Sequence, residues 1–164
     1  MKGLFIVKNN VDVALNINSN ATNEITRKGK ILVVDDSKYI LDAMKNLIQK
    51  IMKEVKCNLE VITGSDGVDI IKNVIDDQTN GNLIKCIITD ENMEYINGSE
   101  AIRFLRGLER KNKIKHVKII SATSEEDMQS INYMKEAGAE FVVPKPLSRE
   151  AVTKLFQDLQ IISV

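Results

Sequence analysis

The chain has 164 residues, 43% of them hydrophobic and 28% charged, and its 23 basic residues balance its 23 acidic residues. This length fits one domain with its own core, and zero net charge favours neither nucleic acid nor an anionic membrane as a partner. The apolar runs are far shorter than a membrane span, and the amino terminus lacks a secretory signal. We therefore expect a cytoplasmic protein without membrane insertion.

The first 29 residues differ from the rest of the sequence. They are rich in Asn, and residues 11–18 alternate apolar and polar side chains, as a half-buried strand does. Three interpretations are open: a polar tail, an added edge strand, or a docking segment that orders on a partner. The sequence thus divides into an N-terminal extension, residues 1–29, and one domain, residues 30–164.

From residue 30 onward, short apolar runs alternate with stretches of helical spacing. The runs rich in β-branched residues predict strands at 31–34, 59–63, 83–89, 116–121 and 141–143. Apolar residues three and four apart predict five helices: 40–52 after a Ser37 cap, one from Ser65 or Asp66, one from about 98, 125–137 and 147–160. This alternation predicts an α/β fold, with a parallel sheet covered on both faces.

The helical spacing also predicts which side chains face the core. In the second helix these are Val68, Ile71, Val74 and Ile75. On the fourth helix, Tyr133 and Met134 are candidate partner contacts, with core packing as the alternative for one of them. A basic run between residues 103 and 118 is interpreted as a solvated face, with an acidic partner as the alternative.

Polar side chains follow four of the predicted strands. Asp35 and Asp36 follow the first strand, Asp90 the third, Ser121 the fourth and Lys145 the fifth. Because the carboxyl ends of parallel strands meet at one edge of the sheet, we expect these side chains to converge. Alone, each motif also fits a simpler role: acids at a helix N-terminus, a capping hydroxyl, or a solvated lysine. Together they predict one site.

The chemistry of this site favours a divalent cation and a phosphoryl group. Oxygen ligands without Cys or His favour Mg²⁺ over zinc, and a backbone carbonyl near Asn92 would complete the metal ligands. Asp90 is the candidate nucleophile, since a carboxylate that attacks phosphorus forms an acyl phosphate. Lys145 would meet Asp90 before transfer and a phosphoryl oxygen after it. The bond between Lys145 and Pro146 is a candidate cis peptide.

Four motifs in register carry a resemblance to a known family. They are VVDDS at 33–37, TDENM at 89–93 with Asn97-Gly98 behind it, Ser121-Ala122, and KPL at 145–147. From Lys30 to about Leu159 the chain resembles a response regulator receiver domain of two-component phosphorelay signalling. The resemblance implies a flavodoxin-like, doubly wound sheet of strand order 2-1-3-4-5. It also implies a phosphorylated regulator rather than an enzyme.

The resemblance further implies a role for each matching residue. Asp90 would take phosphate from a phosphohistidine on a histidine kinase or a histidine phosphotransfer protein. Asp36 would bind Mg²⁺ directly, Asp35 partly through water, and Asn92 through its carbonyl. Ser121 would move toward the phosphoryl group and Lys145 would neutralise it. A downstream protein would bind the surface formed by residues 125–160.

Three positions depart from the family pattern. Glu94 replaces the usual proline after the phosphoacceptor, which predicts a looser loop. The aromatic switch position, three residues before the lysine, holds Val142, whereas Phe141 lies one place away and faces the opposite side of a regular strand. Thr123 replaces Ser121 as the switch hydroxyl if the strand is slipped. Phosphorylation is therefore predicted more firmly than the usual switch.

Two other functions fit parts of the sequence. The first is a receiver-fold scaffold with little phosphorylation-dependent switching, held in an assembly by the N-terminal extension or by the basic run. The second is a small-molecule phosphatase of related topology, which is disfavoured because no residue clearly supplies the general acid. The receiver remains the main hypothesis.

Overall fold

The computed structural model describes residues 29–124 and 128–163, which form a five-stranded parallel sheet with helices on both faces. The strand order is β2-β1-β3-β4-β5, so the predicted α/β fold and its order are confirmed. The elements are β1 (Gly29–Val34), α1 (Lys38–Glu54), β2 (Leu59–Gly64), α2 (Gly67–Asn80), β3 (Ile84–Thr89), α3 (Gly98–Arg110), β4 (Ile119–Thr123), α4 (Met128–Ala137), β5 (Phe141–Pro144) and α5 (Arg149–Asp158).

The N-terminal extension lies outside the described residues except for Gly29, which opens β1. Its three interpretations therefore stay predictions. Within the described part of the chain, no helix is both long and apolar enough to cross a membrane.

The sheet separates two hydrophobic cores because its central strands are apolar on both faces. Alternate residues of β1 point to opposite sides: Ile31 and Val33 enter one core, and Leu32 and Val34 the other. Helices α1 and α5 cover the first core, and α2, α3 and α4 cover the second. This two-sided burial explains the continuous apolar runs of the strands.

Parallel pairing aligns the strand ends that carry the candidate site. Thr89 at the end of β3 pairs with Val34 of β1 on one side and with Ser121 of β4 on the other. Ser121 in turn pairs with Val142 of β5, and Thr123 pairs with Pro144. The residues after β1, β3 and β5 therefore emerge at the same edge of the sheet.

The fourth strand is shifted from its predicted bounds, 116–121. It begins only at Ile119, because side chains bind the backbone before it: the Val117 N–H donates to Glu109, and Arg106 donates to the Val117 carbonyl. It continues to Thr123, whose carbonyl accepts the Lys145 N–H at 2.7 Å.

Two of the predicted helices differ from their observed counterparts at the ends. The predicted start of the fourth helix, at 125, falls outside the described residues. The last helix is shorter than 147–160, because the Ser148 hydroxyl accepts the Ala151 N–H and caps α5 just before Arg149.

The predicted inward face of α2 is partly wrong. Ile70 and Val74 are fully buried, whereas Val68 and Ile75 are 47% and 41% exposed. The cap at Asp66 sets the phase of the helix and turns Gly67 inward, where a Cβ would lie 2.4 Å from the Ile96 carbonyl oxygen. The buried face then follows Gly67 at three- and four-residue steps.

We expect Ile70→Ala to lower the free energy of unfolding by about 2–5 kcal/mol, because it leaves a cavity in a closed core. The matched variant Ile75→Ala, on the outer face of the same helix, is expected to change it by only about 0.5 kcal/mol. Urea denaturation measures both values. Equal losses would show that the two isoleucines share one environment.

Candidate functional site

Three carboxylates meet at the carboxyl edge of the sheet. One oxygen from each of Asp35, Asp36 and Asp90 lies within 4.8 Å of the others. Asp35 is buried, Asp90 is half-buried and Asp36 is exposed, so the cluster opens to solvent on one side. The structure thus brings together the three acids that the strand ends predicted.

Lys145 joins this cluster from the loop after β5. Its Nζ donates to Asp35 Oδ2 at 2.6 Å and lies 3.2 Å from Asp90 Oδ1. Asp35 Oδ1 accepts the Ser37 N–H at 2.9 Å, which fixes its carboxylate at the start of α1. Among the described residues, the Lys145 ammonium thus forms ion pairs with two of the three acids, Asp35 and Asp90. The Lys145–Pro146 peptide bond is cis.

Burial gives Asp90 unusual acid–base properties. Desolvation raises the pKa of its carboxyl group, and although the Lys145 ammonium and the Glu91 N–H act in the opposite direction, the pKa remains raised. The fold therefore disfavours the ionised form, which is the nucleophilic one. A further cation beside Asp90 would lower this cost.

The loop between β3 and α3, residues 90–97, is well anchored, so the looser loop expected from Glu94 is not observed. Glu94 points to solvent, but the carboxylate of Asp66 accepts the backbone N–H groups of Tyr95 at 2.8 Å and Ile96 at 3.2 Å. Backbone hydrogen bonds to a carboxylate here take the place of the stiffness of a proline.

The other end of this loop is bound to α3. The buried carboxylate of Glu91 accepts the Ser99 N–H at 2.7 Å and its hydroxyl at 2.8 Å. Asn92 lies exposed in the loop, two residues after Asp90, and its role as a metal ligand stays a prediction. The sequence pattern does not predict these contacts of Glu91 and Asp66, because a single acid near a helix start predicts only a cap.

Two buried hydroxyls lie on one face of β4. Ser121 Oγ and Thr123 Oγ1 are shielded from solvent and have no hydrogen-bond partner among residues 29–124 and 128–163. Ser121 is level with Thr89, one residue before Asp90, whereas Thr123 lies beside the backbone of Lys145. The structure therefore leaves both Ser121 and Thr123 as candidates for the switch hydroxyl.

The two candidate switch residues of β5 face opposite sides, as the strand period predicts. Val142 packs in the core under α2, α3 and α4, the side that also receives Ile119 of β4, whereas Phe141 packs in the core under α1 and α5. Ser121 and Thr123 lie two and four residues after Ile119 and share its face. The β5 side chain on the same face of the sheet as the two hydroxyls is therefore aliphatic, not aromatic.

An apolar cavity of about 220 Å³ lies beside the carboxylates. Asp35, Asp90 and Lys145 form its polar end. Its apolar wall comes from α1 and the loop after β5, including Ile40, Met44, Leu47, Pro146 and Leu147. The apolar spacing of the α1 residues predicts only that they face the core, because helical spacing does not distinguish a filled core from a cavity wall.

Residues 31–157 match the family model of the response regulator receiver domain. The chain belongs to this family. This confirms the resemblance that the four motifs carried, and it makes the chain a receiver domain of two-component signalling. Receiver domains bind Mg²⁺ at an acidic pocket and interact with histidine kinases or phosphotransfer proteins and with downstream effectors.

Individual relatives agree with this assignment. A chemotaxis protein CheY homolog of Campylobacter jejuni is 26% identical over 130 residues, which cover 79% of this chain and 91% of that protein. A hybrid signal transduction histidine kinase L of Dictyostelium discoideum is 26% identical over 129 residues, but this receiver chain spans only 7% of its length. A crystal structure of a receiver domain protein from Clostridium thermocellum superposes with a TM-score of 0.62 at 26% identity, covering 80% of this chain and 93% of that one.

We expect Asp90→Asn to stabilise the receiver fold at about pH 7 when divalent cations are chelated, because it removes a carboxylate whose ionised form the fold disfavours. A raised pKa in the folded state costs stability above that pKa, and this cost vanishes below the ordinary Asp pKa of about 3.9. The gain should therefore be present near neutral pH and shrink toward about pH 3.

Urea denaturation at several pH values measures this difference. Asp42→Asn, an exposed Asp on α1, is the matched control and should change the free energy of unfolding little at any pH. An Asp90→Asn variant that is less stable than the wild type at neutral pH would contradict the electrostatic description of the site.

Proposed function

We propose that this receiver accepts a phosphoryl group on Asp90 from a phosphohistidine and signals by a change in partner binding. One observation carries the proposal: the Asp90 carboxylate lies in a three-carboxylate cluster and 3.2 Å from the Lys145 ammonium. Such a pocket can hold a cation on one side of the acceptor and a fixed positive charge on the other.

In the proposed step, an oxygen of ionised Asp90 attacks the phosphorus of the donor. The P–N bond of the phosphohistidine breaks, its electron pair returns to the imidazole nitrogen, and this nitrogen takes up a proton from solvent. Negative charge accumulates on the phosphoryl oxygens between Asp90 and Lys145. Lys145 keeps its own proton and stabilises this charge, as a preorganised cation does.

The cluster of Asp35, Asp36 and Asp90 fits Mg²⁺, because it offers only oxygen ligands within 4.8 Å of one another. Asp36 and Asp90 would bind the ion directly, Asp35 partly through water, and Asn92 through its carbonyl. When bound, Mg²⁺ offsets the charge of the acids and of the entering phosphoryl group.

The two buried hydroxyls support a conformational response. An unpaired buried hydroxyl costs about 1–3 kcal/mol, so a phosphoryl oxygen on Asp90 would attract Ser121 or Thr123 as a donor. Val142, which replaces an aromatic residue, would transmit this shift through packing against α4. On that helix Tyr133 is 42% exposed and Met128 65%, which makes residues 125–160 the proposed surface for a downstream protein.

Such a receiver would be a regulator that catalyses at most its own phosphorylation and dephosphorylation. It would act in the cytoplasm, where histidine phosphodonors are produced. The free thiols of Cys57 and Cys86 suit this reducing compartment.

A scaffold that does not respond to phosphate is the second candidate, and Val142 favours it, because an aliphatic side chain at this position lacks the usual aromatic read-out. Asp90→Asn separates the two functions. Partner binding that ignores both this substitution and phosphorylation of the wild type would support the scaffold.

Incubation with Mg²⁺ and a small acyl phosphate tests the phosphoacceptor directly. We expect a labile adduct by intact-protein mass spectrometry in the wild type and in the control Asp42→Asn, and none in Asp90→Asn or after chelation of Mg²⁺. Lys145→Ala should slow adduct formation about a hundredfold, since it removes a charge that faces the transferred group. Absence of the adduct from the wild type at saturating donor would refute the proposal.

A further inference from the structure

We propose that Asp66 is a positioning residue of the phosphoacceptor site, through its hold on the loop of residues 90–97. Asp66 lies in the turn between β2 and α2, outside the carboxylate cluster. The inference rests on the proposed function, because it concerns how that site is prepared for Mg²⁺ and phosphate.

The carboxylate of Asp66 binds two separate parts of the chain. Oδ1 accepts the Val68 N–H at 3.0 Å and so caps α2, and it also accepts the Ile96 N–H at 3.2 Å. Oδ2 accepts the Tyr95 N–H at 2.8 Å. A return hydrogen bond runs from the Gly67 N–H to the Ile96 carbonyl at 3.0 Å. These bonds join residues about 30 positions apart.

Within the described residues, backbone N–H groups rather than a basic side chain stabilise the charge of Asp66. The side chain is only 7% exposed, and the salt bridges within residues 29–124 and 128–163 do not include it. Burial works against the ionised form, but the N–H groups of Val68, Tyr95 and Ile96 outweigh it and lower the pKa of the carboxyl group. A buried carboxylate whose donors come largely from another loop holds that loop firmly.

The loop of residues 90–97 is also constrained where it meets α3. The Gly98 N–H donates to the Glu91 carbonyl at 2.9 Å, and a Cβ at Gly98 would lie 2.1 Å from the Asp90 carbonyl oxygen. The hydrogen bond between Gly98 and Glu91 thus closes the loop where it meets α3, and the Asp66 side chain binds it at Tyr95 and Ile96.

This anchoring bears on metal binding because the loop carries both Asp90 and Asn92. If the loop is ordered in advance, Mg²⁺ binding does not have to order it, and affinity is gained. Asp66 thus takes over a constraint that Glu94, in place of the usual proline, does not provide.

Substitutions at Asp66 can separate the cap of α2 from the hold on the loop. Asp66→Ser keeps a good N-cap but is too short to reach Tyr95 and Ile96. Asp66→Asn keeps one acceptor oxygen for Val68 and replaces the other by a donor, which opposes the Tyr95 N–H. Asp77→Asn is the matched control, since Asp77 is a buried Asp at the far end of α2 that accepts the Ile84 N–H at 2.8 Å.

Calorimetric titration of the full chain with Mg²⁺ gives the decisive readout. We expect Asp66→Ser to raise the dissociation constant about tenfold, the lower range for losing a group that orients metal ligands, with a smaller rise in Asp66→Asn. Asp77→Asn should lose stability in urea but keep the wild-type affinity. Amide hydrogen exchange at Tyr95 and Ile96 should accelerate in Asp66→Ser and stay unchanged in Asp77→Asn.

These measurements distinguish failure of the positioning role of Asp66 from failure of the proposed phosphoacceptor function. Equal Mg²⁺ affinity in the wild type, Asp66→Ser and Asp77→Asn would overturn the positioning role and leave the proposed function standing. A similar loss of affinity in Asp66→Ser and Asp77→Asn would overturn it as well, because general destabilisation would then explain both. A wild-type chain that binds no Mg²⁺ would overturn the proposed function together with this inference.

Discussion

Burial of a carboxylate within a cluster of three acids, at one edge of the sheet, is the constraint on which the rest of this receiver depends. One oxygen from each of Asp35, Asp36 and Asp90 lies within 4.8 Å of the others, and among the described residues the Lys145 ammonium forms ion pairs with Asp35 and Asp90. The raised pKa of Asp90 expresses the cost of holding a carboxylate there. A site of this kind gains stability from any further cation that binds beside the acids.

Rigid surroundings hold the three acids in place despite this electrostatic cost. Two hydrophobic cores fix the sheet from both sides, and strand pairing sets the level at which each acid emerges. The loop after Asp90 is tied by Asp66 on one side and by Glu91 on the other. The read-out side is less constrained, because Ser121 and Thr123 are buried without partners among the described residues. The proposed acceptor chemistry and the proposed switching thus involve different parts of the molecule.

Apolar periodicity and motif spacing predict the parallel sheet and the convergence of the acids with Lys145, since these follow from apolar runs and from the geometry of parallel strands. The strand order, in contrast, was implied only by the resemblance to receiver domains. The face of α2 was partly missed, because Ile70, Ile71, Val74 and Ile75 allow two adjacent stripes and only the Asp66 cap decides between them. Apolar periodicity does not predict contacts between side chains that lie far apart in the sequence.

The two clearest examples of such contacts are Arg106 and Asp66. Arg106 belongs to a basic run interpreted as solvated, yet its guanidinium donates to Glu140 at 2.9 Å and to the Val117 carbonyl, and it shapes the start of β4. The sequence predicts that Asp66 is a simple helix cap, whereas its carboxylate also accepts a hydrogen bond from Ile96, in a loop 30 residues away. Local pattern carries no information about either partner.

Chemical mapping of the phosphorylated residue tests the central claim most directly. Reduction of the acyl phosphate with borohydride, followed by peptide mass spectrometry, identifies the carboxylate that accepted the phosphoryl group. The account predicts modification of Asp90 alone, dependent on Mg²⁺. Modification of Asp35 or Asp36 instead, or of no carboxylate at all, would contradict it.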